Sequence, residues 1–258
     1  MNFLAPTIVE DLVRIGRHND GGYIVPRFII SETEVLISLG LSDDWSFEAD
    51  FLSQRPNLKI HAYDHTVSMR GFIKKALGEI ARFFFRKSHL KKIQSSTRVI
   101  FSYRSFFKDP TKHYRERVHN RRDENSDATF DVIFDRLEPK ARVFVKMDIE
   151  GSEYRVIPDL LRYSDSVIGM VIEFHDLDPL RKIFICSLHD LCEKYEIVHV
   201  HANNNAAYST DNVPEVLEIT FVKKQYCSQL SRRTKLPLRD LDEPNDVTRA
   251  DYSLEFNL

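Results

Sequence analysis

The sequence predicts an α/β fold built on a mostly parallel, doubly wound sheet. Two observations carry that prediction. Short, nearly continuous apolar runs at Glu34–Gly40, Leu58–Tyr63, Val143–Met147 and Val167–Phe174 read as strands buried on both faces, and segments of helical character lie between them. Three successive strands then end in polar clusters: Asp148/Glu150, Glu173/His175/Asp176 and His201/Asn203/Asn204. In an open α/β sheet the carboxyl ends of the strands line the ligand crevice, so these clusters are expected to meet there.

The 258 residues suffice for one large domain with a full core, and no Pro/Gly/Ser-rich linker divides them. With 42% hydrophobic and 29% charged residues, the composition is that of an ordinary soluble domain. A net charge of −2 argues against nucleic acid as a partner of the whole surface. Cys186, Cys192 and Cys227 have no metal-ligand spacing and cannot all pair. With no signal-peptide pattern, they point to a reducing, cytoplasmic setting. No apolar run approaches the roughly 18 residues needed to span a bilayer.

Residues 1–33 form a segment flanking the site. Asp20-Gly21-Gly22 is a turn signal and Tyr23–Val25 a strand, so Arg14–Pro26 reads as a β-hairpin or as a wall of the site carrying Arg17 and Asp20. The first sheet strand ends at Gly40, and Ser46–Gln54 reads as the helix after it. Strand, glycine turn and helix make half of a mononucleotide-binding unit, although G-x-G-x-x-G is absent. Asp64 closes the second strand, at a spacing from Gly40 that suits ribose hydroxyls or a helix cap.

Residues 69–98 are a basic helical insertion. From Met69 to Gln94, eight Lys and Arg stand against Glu79 alone, with apolar residues at helical spacing. Such a helix or helix pair is a surface element packed on the sheet, a peripheral membrane contact through 69–94, or a dock for an anionic acceptor. Arg98–Phe101 with Ser102 and Tyr103 reads as the third strand, and Lys108–Asp127 as a solvated insertion. Helices are expected over Thr129–Leu137, Glu153–Tyr163 and Leu180–Tyr195, and the last strands over Glu196–Val200 and Val216–Lys223. Residues 224–258 read as a polar tail.

The pattern V-K-M-D-I-E-G-S-E-Y, followed by V-I-E-F-H and H-A-N-N, resembles the FkbM-type methyltransferases. D-G-G-Y-I-V-P and S-L-G-L-S-D-D-W-S-F-E resemble a branch of the same family, and the likeness covers about Arg14 to Lys223. It implies a seven-stranded class I (Rossmann-like) fold that uses S-adenosylmethionine. By that resemblance Ser38, Leu39, Gly40 and Ser42 hold the methionine part, Asp64 the ribose, and Ser102 sits near the adenine. Class I enzymes often carry an acid where Ser38 stands, so the amino group is expected to find Glu48 or Asp20. The implied reaction is methylation of a hydroxyl on a sugar or glycan intermediate. N-methylation, methylation of a phosphate-linked group and a non-catalytic cofactor-binding scaffold are the rivals. His175 is the first candidate for general base, with His201 and Asp148 next. In a second mechanism Asp148 and Glu173 bind Mg²⁺, which lowers the pKa of the hydroxyl. The sequence leaves base and metal undecided.

Overall fold

The apolar runs pair side by side in the computed structural model, which describes residues 2–85, 90–122, 126–207, 213–227 and 231–257. A hairpin of β1 (Leu12–Gly16) and β2 (Gly22–Pro26) leads through α1 (Arg27–Glu32) into the sheet. The sheet strands are β3 (Val35–Leu39), β4 (Lys59–Tyr63), β5 (Thr111–Tyr114), β6 (Val143–Met147), β7 (Val167–Phe174), β8 (Tyr195–Ala202) and β9 (Leu217–Lys223). Their spatial order is β8-β9-β7-β6-β3-β4-β5. Pairs from β5 to β7 are parallel, and β9 runs antiparallel between β7 and β8. This is a Rossmann-like α/β fold: seven strands, one reversed, with the order switching direction beside β3.

β3, β6, β7 and β8 are buried along their whole length, as expected of strands covered on both faces. One core face gathers Ile37, Val145 and Ile172 under α6 (Glu153–Leu161) and α7 (Arg181–Lys194). The other packs Leu36, Phe144 and Val171 against the hairpin and α2 (Ser46–Gln54). Alternate residues of each strand thus serve opposite cores.

Two expectations are corrected. Arg98–Tyr103 is not a strand. It belongs to α4 (Leu90–Phe106), which packs beside α3 (Met69–Phe84). Val99, Ile100, Tyr103 and Phe106 recur at helical spacing and close over Trp45 and Phe72. The third strand is Thr111–Tyr114, inside the stretch read as a solvated insertion. The residues after 230 are not a free tail. Leu236, Leu254 and Phe256 are buried in the main core, and Lys235–Leu236 pairs with Leu254–Glu255. No helix among the described residues is long and apolar enough to cross a membrane.

Candidate functional site

Gly40 sets the shape of the cleft. Its φ is +85°, and a Cβ built there would lie 1.7 Å from the Asp148 carbonyl oxygen. Only glycine lets the ends of β3 and β6 approach this closely. Three neighbours share left-handed backbone without being glycine: Ser42 (φ 52°), Glu150 (φ 54°) and Asp176 (φ 55°). All three follow carboxyl ends of sheet strands, the place where strain accompanies function.

Two cavities open at these ends. The larger, about 350 Å³, lies between Gly40, Ser42, Asp64, Val118 and Asp148. The second, about 210 Å³, is walled by Arg17, Asp20, Tyr23, Glu48, Glu173 and His175. Ser42, Asp148 and Glu150 line both.

Asp148 and Glu150 reach the junction from the end of β6, and Glu173 and His175 from the end of β7, as parallel neighbours must. Glu153 opens α6, and its fully buried carboxylate accepts the Ile149 and Gly151 N–H groups at 3.0 and 3.2 Å. The same oxygen meets His175 Nδ1 at 3.1 Å. His175 Nε2 then faces Glu150 at 3.6 Å and Asp148 and Glu173 at 3.8 Å each. Burial alone would lower the His175 pKa, but the Glu153 hydrogen bond and the charges of Glu173, Glu153 and Asp148 outweigh it and raise it to about 9. An imidazolium has no free lone pair, so His175 is not an available base near neutrality in this state. Glu173 is pushed up to about 8 by burial and then by the charges of Asp148 and Glu218, against the opposing pull of His175. It accepts hydrogen bonds from Tyr23 Oη at 2.9 Å and Asn203 Nδ2 at 3.0 Å.

The oxygens of Asp148 and Glu150 and a nitrogen of His175 lie within 4.8 Å of one another, close enough to share one cation. The Glu153 contact holds the far nitrogen of the ring, the arrangement in which a carboxylate orients a metal-ligating histidine.

Lys146 is a member of the site that the sequence reading missed. It lies mid-strand in β6 and is 7% exposed, and it donates to the Gly40 carbonyl at 2.6 Å. Its ammonium is 4.0 Å from Asp148 and acts against the burial that raises the pKa of Asp148 and Glu48. A lysine at this point of an otherwise apolar strand was the available signal.

The other expected residues divide. Ser38 is fully buried and donates to Glu48 at 2.5 Å, and Glu48 reaches the second cavity. Leu39 is a core side chain whose backbone oxygen accepts from Asp148 N–H at 2.9 Å. Asp20 lines the second cavity, where Arg17 and Asn245 donate to it. Asp64 lines the larger cavity, yet its two oxygens already accept from the N–H groups of Leu41, Ser42, Thr66 and Val67 and from the Thr66 hydroxyl. It ties the loops after β3 and β4 together, and these bonds outweigh burial and hold its pKa below the usual value.

Ser102 and His201 lie elsewhere. Ser102, on α4, accepts the Trp45 indole N–H at 3.1 Å and lines neither cavity; Glu116, Arg117 and Val118 occupy the wall expected of it. His201 is buried between Glu218 and Asp251, each at 3.2 Å, and is absent from both linings. Burial would lower its pKa, but these two carboxylates raise it to about 10. It joins the C-terminal segment to the sheet rather than serving the cleft.

No protein-family model matches the chain, and neither does any curated protein. Among solved structures, fibrillarin from Methanococcus jannaschii aligns at 10% identity and a TM-score of 0.41, over 84% of this chain and 87% of that one. The precorrin-6y C5,15-methyltransferase of Geobacter metallireducens GS-15 aligns at 15% identity and a TM-score of 0.37, over 76% and 84%. At these scores the likeness assigns neither activity nor substrate; both have to come from the chain's own residues.

Proposed function

We propose that this chain is an S-adenosylmethionine-dependent methyltransferase that methylates a hydroxyl of a sugar or glycan intermediate in the cytoplasm. The observation that carries the reading is the junction: Ser42, Asp148 and Glu150 belong to both cavities, so groups bound in each would meet beside Asp148. The larger cavity is the cofactor side, with the Gly40 turn against the methionine part. The acidic junction suits a sulfonium, whose positive charge it stabilises. The second cavity is the acceptor side. Arg17, Asp20, Glu48, Glu173 and His175 offer it donors and acceptors at many angles, as a polyhydroxy ligand requires, and its carboxylates would repel a nucleic-acid phosphate. The FkbM-type assignment belongs to this proposal and rests on Asp148-Ile149-Glu150-Gly151 with Glu153.

In the proposed step the acceptor oxygen forms a bond to the methyl carbon as the carbon–sulfur bond breaks, and the bond pair stays on sulfur as a thioether. Alignment supplies most of the rate, because the leaving group is already activated. The hydroxyl proton passes to Asp148, whose carboxylate is stabilised by Lys146 and the His175 imidazolium. Tyr23 and Asn203 hold the Glu173 carboxyl in place in the wall of the acceptor cavity. Asp148, Glu150 and His175 also fit a divalent ion; two carboxylates suit Mg²⁺ or Mn²⁺, and the imidazole favours Mn²⁺. Bound there, such an ion would supply Lewis-acid activation of the hydroxyl.

The test is incubation with S-adenosylmethionine and a panel of free and nucleotide-linked sugars, read by intact mass. Gain of one methyl on a sugar, lost in Asp148→Asn, is the expected result. Cofactor binding with no turnover on any acceptor would leave a scaffold, and methylation of nitrogen or phosphate groups alone would displace the acceptor assignment.

A further inference from the structure

The α3–α4 hairpin carries most of the exposed large apolar side chains among the described residues. Ten large apolar side chains are exposed among the described residues, and Ile73, Leu77, Phe83, Phe85, Leu90 and Phe101 are six of them. Phe85 is 77% exposed and Phe101 73%. On the inner faces of the two helices Phe72, Val99 and Tyr103 pack with Trp45 and with Ala62 of the sheet, so the exposed residues lie outside that cluster.

Charge singles out the same element. Residues 69–106 contain ten Lys and Arg and one acid, a net +9, whereas the whole chain is −2; the remainder therefore carries −11. Of the hairpin's basic residues, only Lys75, with Asp43, and Arg82, with Glu79, form ion pairs among the described residues. Arg70, Lys74, Lys91, Lys92, Arg98 and Arg104 have no carboxylate partner there. Between the helices, Asp43, Lys75, Lys92, Ser95 and Ser96 line a cavity of about 150 Å³. Asp43 holds Lys75 there, so Lys92 is the basic group of this cavity that has no carboxylate partner among the described residues.

We infer that the α3–α4 hairpin docks on an anionic phospholipid surface. Its apolar side chains enter the headgroup boundary, and its basic residues face lipid phosphates. Exposed apolar residues beside unpaired lysines make the composition of an interfacial helix. A nucleic acid could stack bases on Phe85 and Phe101, but it would leave the aliphatic Ile73, Leu77 and Leu90 beside them without a partner, whereas a lipid boundary takes all of them. The hairpin is fastened beside the acidic cavity, since Lys75 pairs with Asp43, a residue of its rim. Docking would bring that cavity to the headgroup layer, whether or not methyl transfer is the reaction.

Sedimentation of the full chain with sucrose-loaded vesicles tests this, comparing pure phosphatidylcholine with vesicles containing about one-third phosphatidylserine. Binding should require phosphatidylserine and weaken as salt rises from about 0.1 M. Lys74→Glu/Lys91→Glu/Arg98→Glu should lower it at least 100-fold, at about fivefold per basic residue lost and more for reversal. Leu77→Ser/Phe101→Ser, at exposed positions, should weaken binding about tenfold or more while the melting temperature holds. Equal binding to both vesicles, an unchanged affinity in the apolar variant, or binding only to inorganic phosphate or single-stranded RNA would each overturn the inference.

Discussion

Replacing Gly40 by Ala tests how the cleft is built. The new Cβ would sit 1.7 Å from the Asp148 carbonyl oxygen, at a φ of +85°. No rotamer relieves a clash between two backbones, so the ends of β3 and β6 must part by about 1.5 Å to restore normal contact. That movement strains three bonds: Lys146 Nζ to Gly40 O at 2.6 Å, Gly40 N to Tyr63 O at 3.0 Å and Asp148 N to Leu39 O at 2.9 Å. At about 1 kcal/mol for each bond and about 1 kcal/mol for the left-handed backbone, the cost is about 4 kcal/mol. For a chain of this size that lowers the melting temperature by about 10 °C. The affinity for S-adenosylhomocysteine should fall by more than tenfold, because Asp148 and Ser42 move with the strand ends. Calorimetric titration and thermal unfolding measure both. Gly78→Ala is the control: it lies in α3 with open space around its Cβ and should stabilise by about 0.5–1 kcal/mol. An unchanged melting point and affinity in Gly40→Ala would refute the close approach of the two strands.

Three further outcomes are expected. Asp64→Ala orphans loop N–H groups that its carboxylate now satisfies and should cost about 2–4 kcal/mol, with cofactor affinity falling alongside; lost affinity at unchanged stability would instead mark a direct ribose contact. His201 is raised to about 10, so its contribution is whole below its ordinary pKa near 6.5 and is lost as pH climbs toward 10. His201→Asn should flatten the decline of stability across that window, and a parallel decline would exclude the Glu218 and Asp251 pairing as its source. EDTA should abolish turnover and Mn²⁺ or Mg²⁺ restore it if the Asp148–Glu150–His175 set holds a metal; full activity in EDTA leaves proton transfer to Asp148 alone.

Much of the sheet was legible because strands buried on both faces leave an unbroken apolar run. Val167–Phe174 is such a strand over its whole length. The convergence of Asp148, Glu150, Glu173 and His175 followed from parallel pairing of β6 with β7. Ser102 was misplaced because a short apolar run does not distinguish strand from helix, and only the packing of Val99, Tyr103 and Phe106 on Trp45 decides it. The role of Asp64 was obscured by its own neighbourhood: Thr66, two residues on, takes the carboxylate into a local turn. His201 belongs to the long-range part that periodicity cannot carry. Its partner Asp251 stands 50 residues later, in a segment whose polar composition conceals Leu236, Leu254 and Phe256.

The most direct test of the proposed function is a crystal soaked with S-adenosylhomocysteine. The adenosine should occupy the cavity between Asp64 and Val118, with the sulfur turned toward Asp148 and His175 at the mouth of the acidic cavity. A ligand bound away from the Gly40 turn, or no binding at millimolar concentration, would contradict the methyltransferase assignment.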